Sequence, residues 1–290
     1  KEGVNMGKSC TVFKDIGKAC NDLLSKDFKV GKTTVELKSK TASGVTFTPT
    51  ATKSGDAVSG ELKATYGLLP WLDGECVFGT SGSLTASVEA ADALTPGLTI
   101  TAECERAAPG KGGLLASGNL ILDYKQEAFT CKTSFDYYKK DLLASASTVY
   151  GALTMGADCA YSTQKSQLSK YAAACQFVQP DFVFSAKCAE AKGAKTLSCA
   201  YYHKVSSLMQ VGVNLSKPLA KPDVDIEFGC AYKLDKDTTV KSKVDSAGAL
   251  SASYKQKISS LTTMTLAAQI DVVNLSENKH KFGLALNITP

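Results

Sequence analysis

Long apolar runs are what this sequence most lacks. Its longest stretch without a charge, Leu142 to Ala157, is interrupted throughout by Ser, Thr and Gly. A helix that crosses a bilayer needs ~18–20 mostly apolar residues, so no segment qualifies. Histidine is scarce: His203 and His280 are the only 2, and neither has a cysteine at zinc-ligand spacing. The 10 cysteines contain no C-x-x-C pair, so a structural metal finds no ligand set. No P-loop, nucleophile elbow or paired-carboxylate motif occurs. Gly110-Lys111-Gly112-Gly113 lacks the strand-to-helix context of a phosphate loop and reads as a hairpin turn. No catalytic residue, metal ligand or cofactor site is therefore assigned, and the chain does not read as an enzyme. Clustered arginine and interleaved aromatics are missing, so a net charge of +5 does not make a nucleic-acid surface. Lys1 to Cys10 has no apolar signal-peptide core, and the sequons at Asn214, Asn274 and Asn287 read as chance.

What is present is alternation. The average is bland, with 44% hydrophobic residues and a mean hydropathy of −0.06. From Lys29 onward, however, segments of about ten residues alternate polar and apolar side chains, the period-two mark of strands with unlike faces. In Thr33 to Lys40, Val35 and Leu37 share one face while Thr34, Glu36 and Lys38 share the other. In Asp225 to Leu234, Ile226, Phe228, Cys230, Tyr232 and Leu234 make an unbroken apolar face. His280 to Ile288 repeats the pattern with Phe282, Leu284, Leu286 and Ile288. At about 12–15 residues per tilted strand and turn, this region has room for about 18–20 strands. No helix interrupts them, which excludes an α/β architecture.

A soluble sandwich and a membrane barrel both fit such alternation. A sandwich of this size would carry two long edges to protect, whereas closure removes them. The polar faces are crowded with Thr, Ser, Lys, Glu and Gly, and the apolar faces carry small residues such as Ala172, Ala173 and Ala174 among the cysteines. Those features favour the barrel, apolar face to lipid and polar face to water. Ahead of the strands, Val12, Phe13, Ile16, Cys20, Leu23 and Leu24 fall at helical spacing, with Lys14, Lys18, Asn21 and Asp22 opposite. The spacing predicts one amphipathic helix over about residues 11–26, packed on a core, laid on a membrane surface, or held inside a pore.

Specific motifs sharpen this. Asp15-Ile16-Gly17-Lys18, Asp22-Leu23-Leu24-Ser25-Lys26 and Leu37-Lys38-Ser39-Lys40 resemble the N-terminal helix and first strand of the voltage-dependent anion channels, the eukaryotic mitochondrial porins. Tyr232 to Asp237, Lys243-Val244-Asp245-Ser246 and Tyr254 resemble the family's C-terminal motif. Lys279 to Leu286 is similar to its G-H-K-L-G-L-x-L ending, and Gly97 to Thr101 to its G-L-K-L-T strand. The matches run in order along nearly the whole chain.

The resemblance implies a single transmembrane, antiparallel-rich barrel domain over residues 1–290, about 19 strands from about residue 29, with the helix inside the pore. It implies a voltage-gated, weakly anion-selective pore of the mitochondrial outer membrane. Such a pore passes ATP, ADP, phosphate, other small organic anions and ions. Membrane lipids are the expected surroundings, with homo-oligomers or other mitochondrial membrane proteins as partners, and nucleic acid is not one. Two rivals stay open: the related protein-import channel of the same membrane, which the D-I-G-K start disfavours, and a secreted, disulfide-linked β-rich binding or adhesion protein. On the family's pattern, strand parity puts Lys38, Lys63, Lys132, Lys187, Lys204, Lys233, Lys241, Lys243, Lys255, Lys257 and Lys281 on the water side. Glu61, Glu103, Glu105, Asp158 and Glu227 join them, and lysines are expected to outnumber carboxylates. Lys14, Lys18 and Lys26 of the helix are the candidates for metabolite contact and voltage sensing. Cys104, Cys131, Cys159, Cys175 and Cys230 fall on the apolar face as small hydrophobes. The chain also departs from the family. Of three hinge glycines only Gly31 remains, with Asp27 and Lys29 at the others. Asn21 stands where a basic residue is usual, and Thr99 replaces the lysine of G-L-K. The family's lipid-facing glutamate has no secure counterpart in Leu72 to Phe78, although Glu75 lies there.

Overall fold

Alternating side chains give each strand two faces, and the computed structural model shows what each face meets. It describes residues 10–106, 115–191, 193–275 and 280–290. The glycine-rich turn expected at 110–113 lies outside them.

β1 runs Lys32–Leu37 and resumes after Lys38 at Ser39–Lys40. It is followed by β2 (Thr46–Ser54), β3 (Ala57–Leu69), β4 (Leu72–Gly79), β5 (Leu84–Ala91), β6 (Leu98–Arg106) and β7 (Ser117–Lys125). Next are β8 (Phe129–Asp136), β9 (Asp141–Tyr150), β10 (Leu153–Ser162), β11 (Gln167–Val178), β12 (Phe182–Ala191) and β13 (Ala194–Lys204). β14 (Met209–Pro218), β15 (Asp225–Lys233), β16 (Thr238–Asp245), β17 (Ala249–Lys257), β18 (Thr262–Asp271) and β19 (Lys281–Ile288) complete the wall. Each strand pairs antiparallel with the next. β1 and β19 pair in parallel, from Thr33 opposite Leu284 to Leu37 opposite Ile288, and this closes a barrel of 19 strands. An odd number of up-and-down strands leaves the first and last pointing the same way, so one parallel pair is a geometric necessity.

The break in β1 has a local cause. Glu36 faces Thr50 and Ser39 faces Phe47 in one register, which sets Leu37 across from Pro49. Proline has no N–H to give the ladder. The other edge is unaffected: the Lys38 N–H continues the ladder to β19 and bonds the Ile288 carbonyl, 2.8 Å away.

Exposure separates the faces. Val35, Phe47, Leu62, Phe78, Phe184, Phe228 and Leu266 are exposed on the outside. Thr34, Thr130, Ser147, Thr154, Ser251 and Thr265 are buried on the inside. A sandwich would bury its branched and aromatic face. Here that face forms an outward belt, which suits hydrocarbon and would be a very large sticky patch in water. Among the described residues no helix is long and apolar enough to cross a membrane; the strands cross. One expectation needs correction: Ala172 and Ala174 are not on the outer apolar face. Their register with Asp158 and Gly156 turns them inward, and only Ala173 faces out.

The N-terminal segment also differs from the single helix expected over residues 11–26. It is a 3-10 turn, Phe13–Asp15, then the helix α1, Lys18–Ser25. Gly17 breaks it with a left-handed φ of 77°. The Gly17 N–H is bound by Gln176 Oε1 at 3.0 Å, and a Cβ there would sit 2.8 Å from Ser185 Oγ. A glycine is needed both for the backbone angle and for the close approach to the wall.

Candidate functional site

The helix lies inside the barrel because the wall beneath it is made of small residues. Phe13 and Ile16 pack on Ala172 and Ala174, and Cys20 and Leu24 on Ala200 beside Tyr202. At Gly212 an added Cβ would meet Leu23 Cδ2 at 2.8 Å, and at Gly229 it would meet Leu24 Cδ2 at 2.6 Å. Large side chains from the helix thus fill notches left by glycine and alanine on β10 to β15. The Lys187 ammonium sits 5.3 Å from the centre of the Phe13 ring, a cation–π contact. Burial pushes the Cys20 thiol up to about 11, and the nearby Glu227 charge adds to the shift.

The helix's other side meets the open lumen. Lys18 pairs with Asp15 at 3.1 Å and Lys26 with Asp22 at 2.7 Å. Lys14 is exposed without an ion pair among the described residues. The two pairs are largely solvated, and such i,i+3 and i,i+4 pairs stabilise by only about 0.3–0.5 kcal/mol each.

At the helix's end the chain is pinned. Asp27 accepts from Lys241 at 2.8 Å and from Lys255 at 3.1 Å. Lys241 also donates to the Lys26 carbonyl at 3.3 Å, capping the last turn. Burial by itself would raise the Asp27 carboxyl, but the two ammonium groups prevail and hold it below the usual carboxylate range. Gly31 takes a φ of 72° and donates its N–H to the Phe282 carbonyl at 2.9 Å, joining the linker to β19.

Cross-strand partners share a face, so the register carries the inward assignment around the barrel. Lys63, Lys132, Lys187, Lys204, Lys233, Lys241, Lys243, Lys255, Lys257 and Lys281 all take inward positions. Lys38 has the same parity at the interruption of β1. Lys243 pairs with Glu227 at 3.4 Å and lies 5.4 Å from the Phe28 ring. Glu75 also faces inward, paired with Lys63 at 2.7 Å, and so is not a lipid-facing glutamate. Thr99 faces inward opposite Asp123.

The register overturns the expected lysine excess. Glu36, Asp73, Glu89, Asp123, Asp136, Asp141, Asp225, Asp245 and Asp271 join the anticipated carboxylates on the inner face. Carboxylates and lysines are close to balanced there, but they are segregated. β3 to β6 carry Glu61, Asp73, Glu75, Glu89, Glu103 and Glu105 against Lys63. β13 to β19 carry Lys204, Lys233, Lys241, Lys243, Lys255, Lys257 and Lys281 against Asp225, Glu227, Asp245 and Asp271. The helix leans toward the basic side. Sequence reading also missed Lys170, inward and 3.1 Å from Asp158; its parity with Ala172 and Ala174 was the available signal. All 10 cysteines are free, and among the described residues no cluster of His, Cys, Asp and Glu could hold a metal.

The comparisons agree with this architecture. The sequence profile of the eukaryotic porin family matches residues 11–283. The chain is 28% identical to a mitochondrial outer membrane porin of Candida albicans, over 95% of this chain and 97% of that one. It is 27% identical to the voltage-dependent anion-selective channel of Drosophila melanogaster, over 95% and 98%. With an outer plastidial membrane porin of Pisum sativum it shares 29% identity over 98% and 100%. The mitochondrial outer membrane, named for fungal and wheat relatives, is where this barrel belongs. A closed barrel with a water-facing, charge-lined lumen is built as a channel, and the chain belongs to the eukaryotic porin family.

Proposed function

We propose that the barrel is a voltage-gated, weakly anion-selective diffusion pore for ATP, ADP, phosphate and other small anions. The observation that carries this reading is the lumen's division into an acidic wall and a lysine-rich wall, with the helix charges beside the latter. Fixed positive charge concentrates anions locally. The balanced total and a screening length of ~8 Å at physiological salt keep the preference mild. Lys14, Lys18 and Lys26 are the candidate voltage sensors, since each elementary charge crossing the full field gains about 2.3 kcal/mol per 100 mV. Lipid surrounds the outer belt, and contacts with further copies of the chain or other mitochondrial membrane proteins would form there.

Planar-bilayer recording of the refolded protein tests the reading. Under a salt gradient the reversal potential should show anion preference, and conductance should fall at either polarity. Lys18→Glu with Lys26→Glu turns two solvated ion pairs into like-charge pairs, and should move the reversal potential toward cation preference. An unchanged potential and unchanged gating would remove both residues from the pathway; a silent bilayer would sink the pore itself.

A further inference from the structure

Asp27 occupies a position that the rest of the lumen does not explain. A cavity of about 290 Å³ lies at the end of the helix, lined by Asp27, Gln210, Lys233, Thr239, Lys241 and Lys255. It brings three ammonium groups and two neutral hydrogen-bonding side chains to one place. Among the described residues the one carboxylate lining it, Asp27, comes from the linker, not from the wall. Asp27 reaches its two lysines from a left-handed backbone, φ 74°, which a side chain with a Cβ resists. The Lys241 side chain is only 15% exposed, so bulk salt screens it less than the lysines on the open lumen face.

We propose that Lys233, Lys241 and Lys255 form a binding station for phosphate-bearing anions, and that Asp27 is a tethered competitor occupying it. The proposal rests on the lumen being the solute path. A carboxylate brings one charge to two lysines. A polyphosphate brings several charges and more acceptor oxygens, and meets the third lysine as well. The tether gives Asp27 a high local concentration, so weakly charged anions do not displace it and polyphosphates do. Displacement frees the linker from its strained angle and removes the link between Lys241, the Lys26 carbonyl and Asp27. Solute occupancy is thereby coupled to the hold on the helix's end.

The test uses inorganic tripolyphosphate, titrated by phosphorus NMR against the full chain refolded in detergent micelles. Asp27→Asn and Asp27→Gly should each bind at least tenfold more tightly than the parent, because the competitor is gone. Lys241→Met with Lys255→Met should bind at least tenfold more weakly. Equal affinity for parent and both Asp27 variants would overturn the competitor role, and undiminished binding by the double lysine variant would overturn the station. Bilayer recording separates the two readings. A conducting, anion-preferring parent whose variants titrate alike sinks the station and leaves the pore standing, whereas a parent that does not conduct removes the solute path on which both depend.

Discussion

Gly212→Val combined with Gly229→Val should evict the helix while leaving the wall intact. Valine suits a strand, and the wall needs to give only slightly where the Gly229 Cβ would come 3.2 Å from the Ser242 carbonyl, but the new side chains fill the notches that hold Leu23 and Leu24. Those leucines are 5% and 3% exposed. Burial of each is worth about 1.5–3 kcal/mol, so docking loses ~3–6 kcal/mol at this end alone, more than a hundredfold in the docked-to-undocked ratio. Cys20 reports the change directly, because its thiol is buried with its ionisation pushed up to about 11. Mapping alkylated peptides by mass spectrometry near pH 8 should find Cys20 almost unreactive in the parent and at least about a hundredfold faster in the variant. Conductance of the variant should lose its stable level. Unchanged Cys20 protection would mean that the helix is held by contacts other than these notches.

Val35→Pro should prevent the barrel from closing. Val35 faces Ala51 on one side and Leu286 on the other, so the strand has no free edge to excuse a missing N–H. Proline inside a paired strand removes a ladder hydrogen bond, and a backbone group left unpaired in hydrocarbon costs several kcal/mol. Val35→Ala, which keeps the backbone, is the control. Liposome insertion followed by protease challenge should recover a resistant barrel for the alanine variant and none for proline; wild-type channels from Val35→Pro would refute the account. Pro49 shows how the chain tolerates a proline, since the pairing of β1 lapses opposite it.

The sequence made the barrel legible because the strand period is 2 whatever the closure, and lysines on a strong apolar alternation, such as Lys233 or Lys281, could be assigned by parity. The acidic wall was only half legible: parity placed Glu61, Glu103 and Glu105, and missed Asp73, Glu75 and Glu89. β4 and β5 put Gly74, Cys76, Ala86 and Ala90 on their outer face, so the hydrophobic contrast is too weak to show which residues are inside. The break at Gly17 was invisible for another reason. A glycine in a helical pattern is ordinarily a small penalty, and only the approach of Gln176 and Ser185 makes it a joint. Asp27 and its lysines lie more than 200 residues apart, a juxtaposition that exists only after closure.

The parallel seam also governs how this molecule can be made. Thr33 meets Leu284 across nearly the entire chain, so the partner of the first strand is synthesised last. Until β19 arrives, β1 presents a row of unpaired amides that lipid will not accept. Partial sheets are therefore not smaller barrels that grow within the bilayer. Assembly has to shelter that edge until the final strand is delivered: every other pairing is a local hairpin, and closure waits on one very long-range pairing.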